Sequence, residues 1–554
     1  MAKLRRELTV GFSRGSFDSV APPRFPPESA AEILNGRIEP DGTVKRRPGS
    51  QRTHPTLLAA GTGWGGTAFE TAAGDPQMLA FCGAKAFMSD DFGATWTEIA
   101  SGLREDYYDF AQMRVGATNY LFAANGDTTI KRWDGTTWDT LPNAPSGVKF
   151  VKEFNRRLRV AGHSGVLVQG SKIGDPTVWA APDGDTLQVI EVPTGMRQLG
   201  SHLLVFGTDS TALVDGFGEQ TILVTAGESG FSRSVGCVAF RTIVAVGDNG
   251  VAWLSKRGVE YYAAGSGIQL VSKARQRFMD AISWNSIDDN RGKFTAAYNP
   301  RTQDYHLAVS TDGIRNNRIL VLNLTQNVQD QRRGARSAAT VDRQQGAGAG
   351  DQFLSVDADG YLASGASGVG AILDSRGYLS LGTGADPGDA LEIDADGYLS
   401  SVTDDTLPST LFLGPSDTEP TVLYSVGYDG FVRRHEDAEA DDVLSDGTGG
   451  TDVELDLISK PFLFGQPSQR KRGRIVHLAT IAEAQATVRV SLRGEGSETD
   501  PVTVTMPASG TDQTVRRRAM LKLDADAPQV RLRTTDDVRI ALVGLSAELL
   551  RERA

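Results

Sequence analysis

Cysteine is nearly absent from this sequence: Cys82 and Cys237 are the only two in 554 residues. Two thiols cannot build a disulfide framework or a cysteine-based metal site. Each lies in an apolar, strand-like run, MLAFCGAKAF and VGCVAFRTIVAV. That is the setting of a buried free thiol. Histidine is scarce too. His54, His163, His202, His306, His435 and His477 are scattered, with no HxH or HExxH spacing, so the sequence carries no metal signature. No G-x-S-x-G elbow and no Walker A sequence stands out, and Gly162-His163-Ser164-Gly165 reads as a turn. No cofactor or metal is expected.

Long apolar runs are also missing. Nothing approaches the ~18 residues that a spanning helix needs. The start, MAKLRRELTVGF, has one Lys and two Arg but no apolar stretch behind them, so no secretory signal is expected. Positive charge is in deficit: the formal net charge is −12 and the pI about 5.2. That argues against a protein that reads DNA sequence, which presents a basic face. It leaves room for a surface past which DNA slides without being trapped. Arg outnumbers Lys, which decides no function.

What the chain has in quantity is glycine, 62 residues against 23 prolines. Many glycines beside Asp, Asn or Ser mean many tight turns and many short strands. With 40% hydrophobic and 23% charged residues the chain is of folded composition. At roughly 100–200 residues per domain its length predicts two to four domains.

Residues 1–55 differ in texture. Pro22, Pro23, Pro26 and Pro27 cluster, a short helix is predicted from about Glu28 to Leu34, and Asp41-Gly42 turns a hairpin over 38–44. The segment ends in the basic Lys45-Arg46-Arg47-Pro48-Gly49. We read 1–55 as an extended arm that docks on a neighbour. From about 56, apolar runs of four to six residues alternate with Gly/Asp/Asn turns, the spacing of antiparallel sheets. Three copies of one unit follow at Val356–Leu362, Leu373–Leu379 and Ile393–Leu399, with a looser one at Val426–Val432. Each reads as a hairpin with an Asp/Gly turn and a Tyr-Leu return. They predict a hairpin-rich insert at about 346–415. None has the twelve-residue loop with terminal Glu of a calcium hand. An acidic, Gly-rich stretch at about 436–450 reads as an exposed linker. Beyond it, long alternating strands predict a β-sandwich at 452–554.

Two motifs point to a propeller over 56–440. Ser89, Asp91, Gly93, Thr95 and Trp96 fit the Asp-box pattern S-x-D-x-G-x-T-W. The Asp caps a tight turn, the Gly supplies positive φ and the Trp plugs the space between blades. Trp133-Asp134-Gly135-Thr136-Thr137-Trp138 is a second such corner, about one blade further on. Glycosidase chemistry needs facing carboxylates. Arg257, Glu260, Tyr261 and Tyr262 supply residue types for it, but the sequence does not bring them together, and we expect no catalytic residues. The run Arg470-Lys471-Arg472-Gly473-Arg474, with Arg46 and Arg47, is a candidate contact for an acidic partner or DNA phosphates.

These residues carry a resemblance. The stretch Lys152–Gly162 is followed by Ile173-Gly174-Asp175-Pro176-Thr177-Val178-Trp179. Next come Gly236–Thr242 and Trp253-Leu254-Ser255-Lys256-Arg257-Gly258-Val259. With Ala30–Asn35 and Asp41–Gly49 of the arm, this order resembles bacteriophage tail propeller proteins: the tail nozzle, tail hub or tail-stabilisation family. It covers about 30–265 and the basic opening of the last domain. It implies a structural virion protein and no active-site residues. It also implies a ring, of six copies, below the head-to-tail connector, with DNA passing through unread. The chain would be made in the host cytoplasm and reside in the virion tail. The 346–415 insert departs from the family's pattern. The alternative is a receptor-binding or glycan-degrading tail protein that uses the propeller surface. The expected fold is therefore all-β: a propeller with an N-terminal arm and a C-terminal sandwich.

Overall fold

A computed structural model gives the architecture. It describes residues 5–17, 24–39, 41–217, 220–224, 232, 234–247, 250–263, 267–284, 293–313, 315–324, 408–414, 422–438, 440–441, 443–445, 447–464, 469–494, 497–508 and 514–549. Between 340 and 401 it describes strand segments only. The protein is all-β. The described helical turns are short, the longest being Gln276–Asp280.

Seven antiparallel units of four strands occur along the chain, the sixth continuing through its last strand into a sheet of the second unit. Sheet I is Gly63–Glu70, Pro76–Cys82, Lys85–Ser89 and Thr97–Ser101. Sheet II is Asp109–Val115, Thr118–Ala124, Lys131–Trp133 and Trp138–Thr140. Sheet III is Phe150–Phe154, Arg157–Ala161, Leu167–Gly170 and Asp185–Gln188. Sheet IV is Gly195–Leu199, His202–Phe206, Thr211–Phe217 and Gln220–Val224. Sheet V is Val244–Val246, Gly250–Ser255, Gly258–Ala263 and Gly267–Leu270. Sheet VI is Thr295–Asn299, Asp304–Val309, Arg318–Asn323 and Thr340–Gln344. Sheet VII takes Pro408–Gly414, Val422–Gly427 and Val432–Ala438 from late in the chain, and Gly49–Arg52 from its start. The first strand of each sheet touches the first strand of the next, and that of sheet VII touches that of sheet I. The seven sheets thus form a closed cycle.

Alternation explains the packing. A strand sends successive side chains to opposite faces, and these sheets bury both. Each junction consequently has its own apolar cluster. Phe69, Leu79, Phe81, Leu121 and Trp133 fill the space between sheets I and II. Leu204, Phe206, Cys237, Val251 and Trp253 fill that between IV and V. Met78, Cys82, Phe412, Tyr424 and Val426 fill the closing junction between VII and I. Both cysteines are free and buried, and burial pushes each thiol up to about 12.

A second unit packs two sheets on one core. One carries Lys471–Ala482, Val515–Ala525 and Val538–Leu549. The other carries Leu455–Ser459, Ala486–Gly494, Val502–Met506 and Gln529–Thr534. Val476, Leu478, Val543 and Leu545 of the first meet Leu457, Val488, Val490 and Leu532 of the second.

The start of the chain corrects our reading of it. No described part of 1–55 is a freestanding arm. Arg5–Val10 pairs with Val538–Leu549, and the Gly36–Ile38/Val44–Arg46 hairpin joins the same sheet. The segment predicted as a helix is a strand, Ala30–Leu34, paired antiparallel with Leu455–Ser459. Ala, Glu and Leu are good helix formers, but Ala30 and Ile33 have a core to fill, and tertiary packing overrides a weak propensity. The unit foreseen at 452–554 therefore includes the chain's first strands. The insert is shorter than foreseen, because Pro408–Gly414 is the first strand of sheet VII. Within it, Val356 pairs with Leu362, Leu373 with Leu379 and Ile393 with Leu399. Those pairs bracket the three Gly-Tyr turns, which themselves lie outside the described residues.

Arg47 sits where the chain passes from the second unit into the cycle. Its guanidinium forms a two-point ion pair with Asp441, with both side chains under a tenth exposed. It also donates to Asn35 Oδ1 at 3.1 Å. Two residues on, a Cβ at Gly49 would lie 1.8 Å from the Ala440 carbonyl oxygen, so only glycine fits.

Two outcomes follow. Arg47→Ala removes the two-point cationic partner of a buried carboxylate and lowers stability by about 3–5 kcal/mol, read from urea unfolding. Ellman's reagent at pH 8 leaves both thiols unmodified in the folded chain and titrates both in denaturant, as burial and high pKa require.

Candidate functional site

The first strands of the seven sheets surround a cavity of about 630 Å³, within the usual range for small-molecule sites. Gly65, Gly66 and Thr67 of sheet I line it, with Asp109 to Gln112 of sheet II and Lys152 and Glu153 of sheet III. Met196 to Gln198 of sheet IV, Arg241 before sheet V, Thr295 to Tyr298 of sheet VI and Thr410 to Leu413 of sheet VII complete it.

Its charges are arranged unequally. Asp109 is committed. It forms a close ion pair with Lys152, and its other oxygen accepts the Val151 N–H at 2.9 Å. Lys152 also donates to the Phe110 carbonyl at 2.8 Å. Burial lowers the Lys152 pKa, and the Asp109 charge opposes that shift. Glu153 accepts the Arg156 N–H at 2.8 Å, and burial raises its pKa. The Gln198 amide, in the orientation that satisfies it, donates to Glu153 at 3.2 Å. Arg197 is half-buried beside this group. Burial lowers its pKa, and the Asp109 charge opposes. Among the described residues no carboxylate lies within ion-pair distance of it.

Beside one end of the cavity an aromatic group packs on Arg241. Arg241 lies over the Tyr107 ring at 4.6 Å, and burial pushes it down to about 10, still cationic at neutral pH. The Tyr428 hydroxyl accepts the Asn316 N–H at 3.3 Å, and Arg315 lies over its ring at 5.4 Å. Tyr107 and Arg241 precede their sheets' first strands. Tyr428 and Asn316 sit in turns between second and third strands, which strand alternation puts at that same end.

The opposite end carries the two sequence motifs. Ser89 Oγ donates to Asp91 at 2.8 Å and accepts the Gly93 N–H at 2.8 Å. Asp91 also accepts the Thr95 N–H at 2.8 Å and its hydroxyl at 2.5 Å. Gly93 has φ +92°, and Trp96 packs on the cluster between sheets VII and I. At the second corner Trp133 and Trp138 are cross-strand partners. Asp134 accepts the N–H groups of Thr136 at 2.8 Å and Thr137 at 2.7 Å. The Trp133 indole donates to Gln77 at 2.9 Å, and Gln77 donates to the Gly135 carbonyl at 3.1 Å. This buried loop of bonds ties sheet I to sheet II. Burial raises the pKa values of Asp91 and Asp134, but their hydrogen bonds outweigh it and hold both below the usual carboxylate value.

The basic residues expected at a partner surface are engaged within the chain. Arg472 binds Asp524 at 2.7 and 2.8 Å, and Arg474 binds Glu548 at 3.1 Å. Arg470 donates to the Asp524 carbonyl at 3.2 Å. Lys471 is fully buried and donates to the Asp526 carbonyl at 2.5 Å. Arg47 is the buried partner of Asp441, and Arg46 lies in a paired strand. Arg257 and Glu260 do meet, at 2.9 Å, but Glu260 is fully buried and also holds Ser255 Oγ at 3.0 Å. That carboxylate secures a turn. The sequence reading missed the cavity. Lys152 and Arg197 lie on separate strands and Arg241 in the turn before sheet V, and only ring closure brings them together.

No family model and no curated protein matches the chain. Solved structures do show likeness. One is titled as BBS1N in complex with ARL6DN: 10% identity, 70% of this chain and 97% of that one, TM-score 0.36. Another is from a mitotic checkpoint complex, with 11% identity, 59% and 95% coverage and TM-score 0.33. A third is the extracellular domain of a putative hybrid two-component system from B. thetaiotaomicron, with 10% identity, 70% and 39% coverage and TM-score 0.30. All three TM-scores are too low to support an argument about function.

The turn carboxylates give a pH-dependent outcome. Asp134→Ala removes the acceptor of several turn bonds and lowers stability at pH 7 by about 1–2 kcal/mol. The native pKa is depressed, so the contribution is present above the unfolded carboxylate value and lost as pH falls through the folded one. The gap between variant and parent, read as urea midpoints, shrinks between pH 7 and pH 3.

Proposed function

We propose that the seven sheets are the blades of a β-propeller, fused to a β-sandwich, and that the chain is a structural component of a tailed-phage virion. In this reading it is the tail nozzle or hub, a ring of copies below the head-to-tail connector. The ring forms part of the DNA exit channel, its partners are its own copies and neighbouring tail proteins, and DNA passes without sequence recognition. We assign it no catalytic role.

The observation that carries the reading is what the family-like residues do. Most of those with a resolved partner secure the scaffold. Arg159 is fully buried and binds Asp185 with both guanidinium nitrogens. Arg157 donates to the carbonyls of Ser171 and Asp183, each at 2.6 Å. Asp175 accepts the Thr177 hydroxyl at 2.6 Å, and Trp179 packs between sheets II and III. The Trp253 indole donates to the Gly236 carbonyl at 3.0 Å. A resemblance carried by residues with such duties is one of architecture, which suits a building block. The net charge of −12 suits a lumen that does not trap DNA.

Electron microscopy and native mass spectrometry test the proposal together with mass spectrometry of virions. Closed rings, and the chain in purified particles, are expected. A strict monomer absent from virions would reject it. Binding on a glycan array, with assembly intact in a deletion phage, would favour a host-sugar receptor instead.

A further inference from the structure

The cavity at the centre of the seven sheets holds a charge that its own walls do not answer. Three cations line it, Lys152, Arg197 and Arg241, against two acids, Asp109 and Glu153. Both acids are already engaged. Asp109 serves Lys152 and the Val151 N–H. Glu153 serves the Arg156 N–H and lies against Gln198. Arg197 stands next to this satisfied set, withdrawn from bulk water, with Asp109 attracting it only at longer range. A guanidinium so placed costs free energy unless an anion meets it.

We propose that the cavity is a binding site for a small oxyanion, a phosphate or a carboxylate, held by Arg197. The guanidinium fork matches two oxygens of either group at once, which an ammonium cannot do. Lys152 is neutralised by Asp109, and Arg241, on the segment before sheet V, adds positive potential. The Gln198 side chain is anchored on Glu153 and fixes that wall. The space, about 630 Å³, admits a molecule as large as citrate as well as inorganic phosphate. The acidic remainder of the chain does not oppose this, because low-dielectric walls let the local lining set the field inside a cleft. The proposal stands apart from the tail assignment and survives if that assignment fails.

The test uses the full chain at fixed ionic strength. Inorganic phosphate and citrate are titrated separately by calorimetry and by thermal unfolding, with sodium chloride as the control. At least one oxyanion binds saturably at one site per chain and raises the unfolding midpoint, while chloride at equal ionic strength does not. The two titrations distinguish phosphate from carboxylate preference. Arg197→Gln weakens binding by at least about tenfold, the loss expected for a charge-assisted two-point contact. Arg197→Lys keeps the charge, loses the fork and falls between. Lack of saturable binding by either anion to the parent chain overturns the proposal, whatever the variants do. Binding that is unchanged in a folded Arg197→Lys or Arg197→Gln chain overturns it equally, since the anion would then sit elsewhere.

Discussion

A ring of sheets has to be closed, and here the closure depends on one buried contact. The chain crosses between its two units at two points. It first passes from the Val44–Arg46 strand to Gly49–Arg52, the strand that completes sheet VII. Much later it leaves sheet VII after Ala438 and enters the second unit. Arg47 stands at the first crossing and Asp441 at the second, and they hold each other. Gly49 packs against the Ala440 carbonyl in the same place. The strand that closes the ring is thus fastened where it enters, and residues almost four hundred apart in sequence share one joint. Closing so long a loop is entropically costly, which is why a desolvated, two-point ion pair fits here. Its worth lies less in net stability than in fixing which strand pairs with which.

The second unit depends on the same joint. Its outer sheet contains the chain's first strand, Arg5–Val10, and its last, Val538–Leu549, side by side. Its inner sheet contains Ala30–Leu34, which also touches sheet VI through a single parallel bridge from Leu34 to Asp342. Both ends of the chain are tied into one core. Displacing the segment before Arg47 would open the ring and strip two sheets together, so ring and second unit should not unfold independently.

Local chemistry was legible in the sequence and long-range chemistry was not. The turns at Asp91 and Asp134 were readable because each capping bond spans at most four residues. Trp96 and Trp133 were readable as junction fillers because bulky aromatics beside such turns have few other places to go. The partner of Ala30–Leu34 was invisible, being more than four hundred residues away. Without it a run of helix-forming residues after a proline reads as a helix. The internal partners of the basic run at 470–474 were invisible for the same reason. As a string it is a patch of charge, but in the sheet Arg472 and Arg474 face Asp524 and Glu548 on neighbouring strands. The central cavity was the least legible feature, since each sheet gives it a short piece of its first strand with no spacing rule among the pieces.

That division follows the geometry of the strands. A four-stranded sheet places the turn between its third and fourth strands at one end and the turn between its second and third at the other. The Asp91 and Asp134 turns occupy the first end, where each bonds its own backbone and a tryptophan seals the junction beside it. Tyr107, Arg241, Tyr428 and Asn316 occupy the second, where they meet across sheets II, V, VI and VII. The first end is built from contacts within one turn, so it can be read turn by turn and tolerates being repeated. The second end exists only when four sheets converge, so its residues carry no signature singly. That end depends on the whole ring: Arg241 reaches the Tyr107 ring and the Asn316 N–H reaches the Tyr428 hydroxyl only once the sheets have come together.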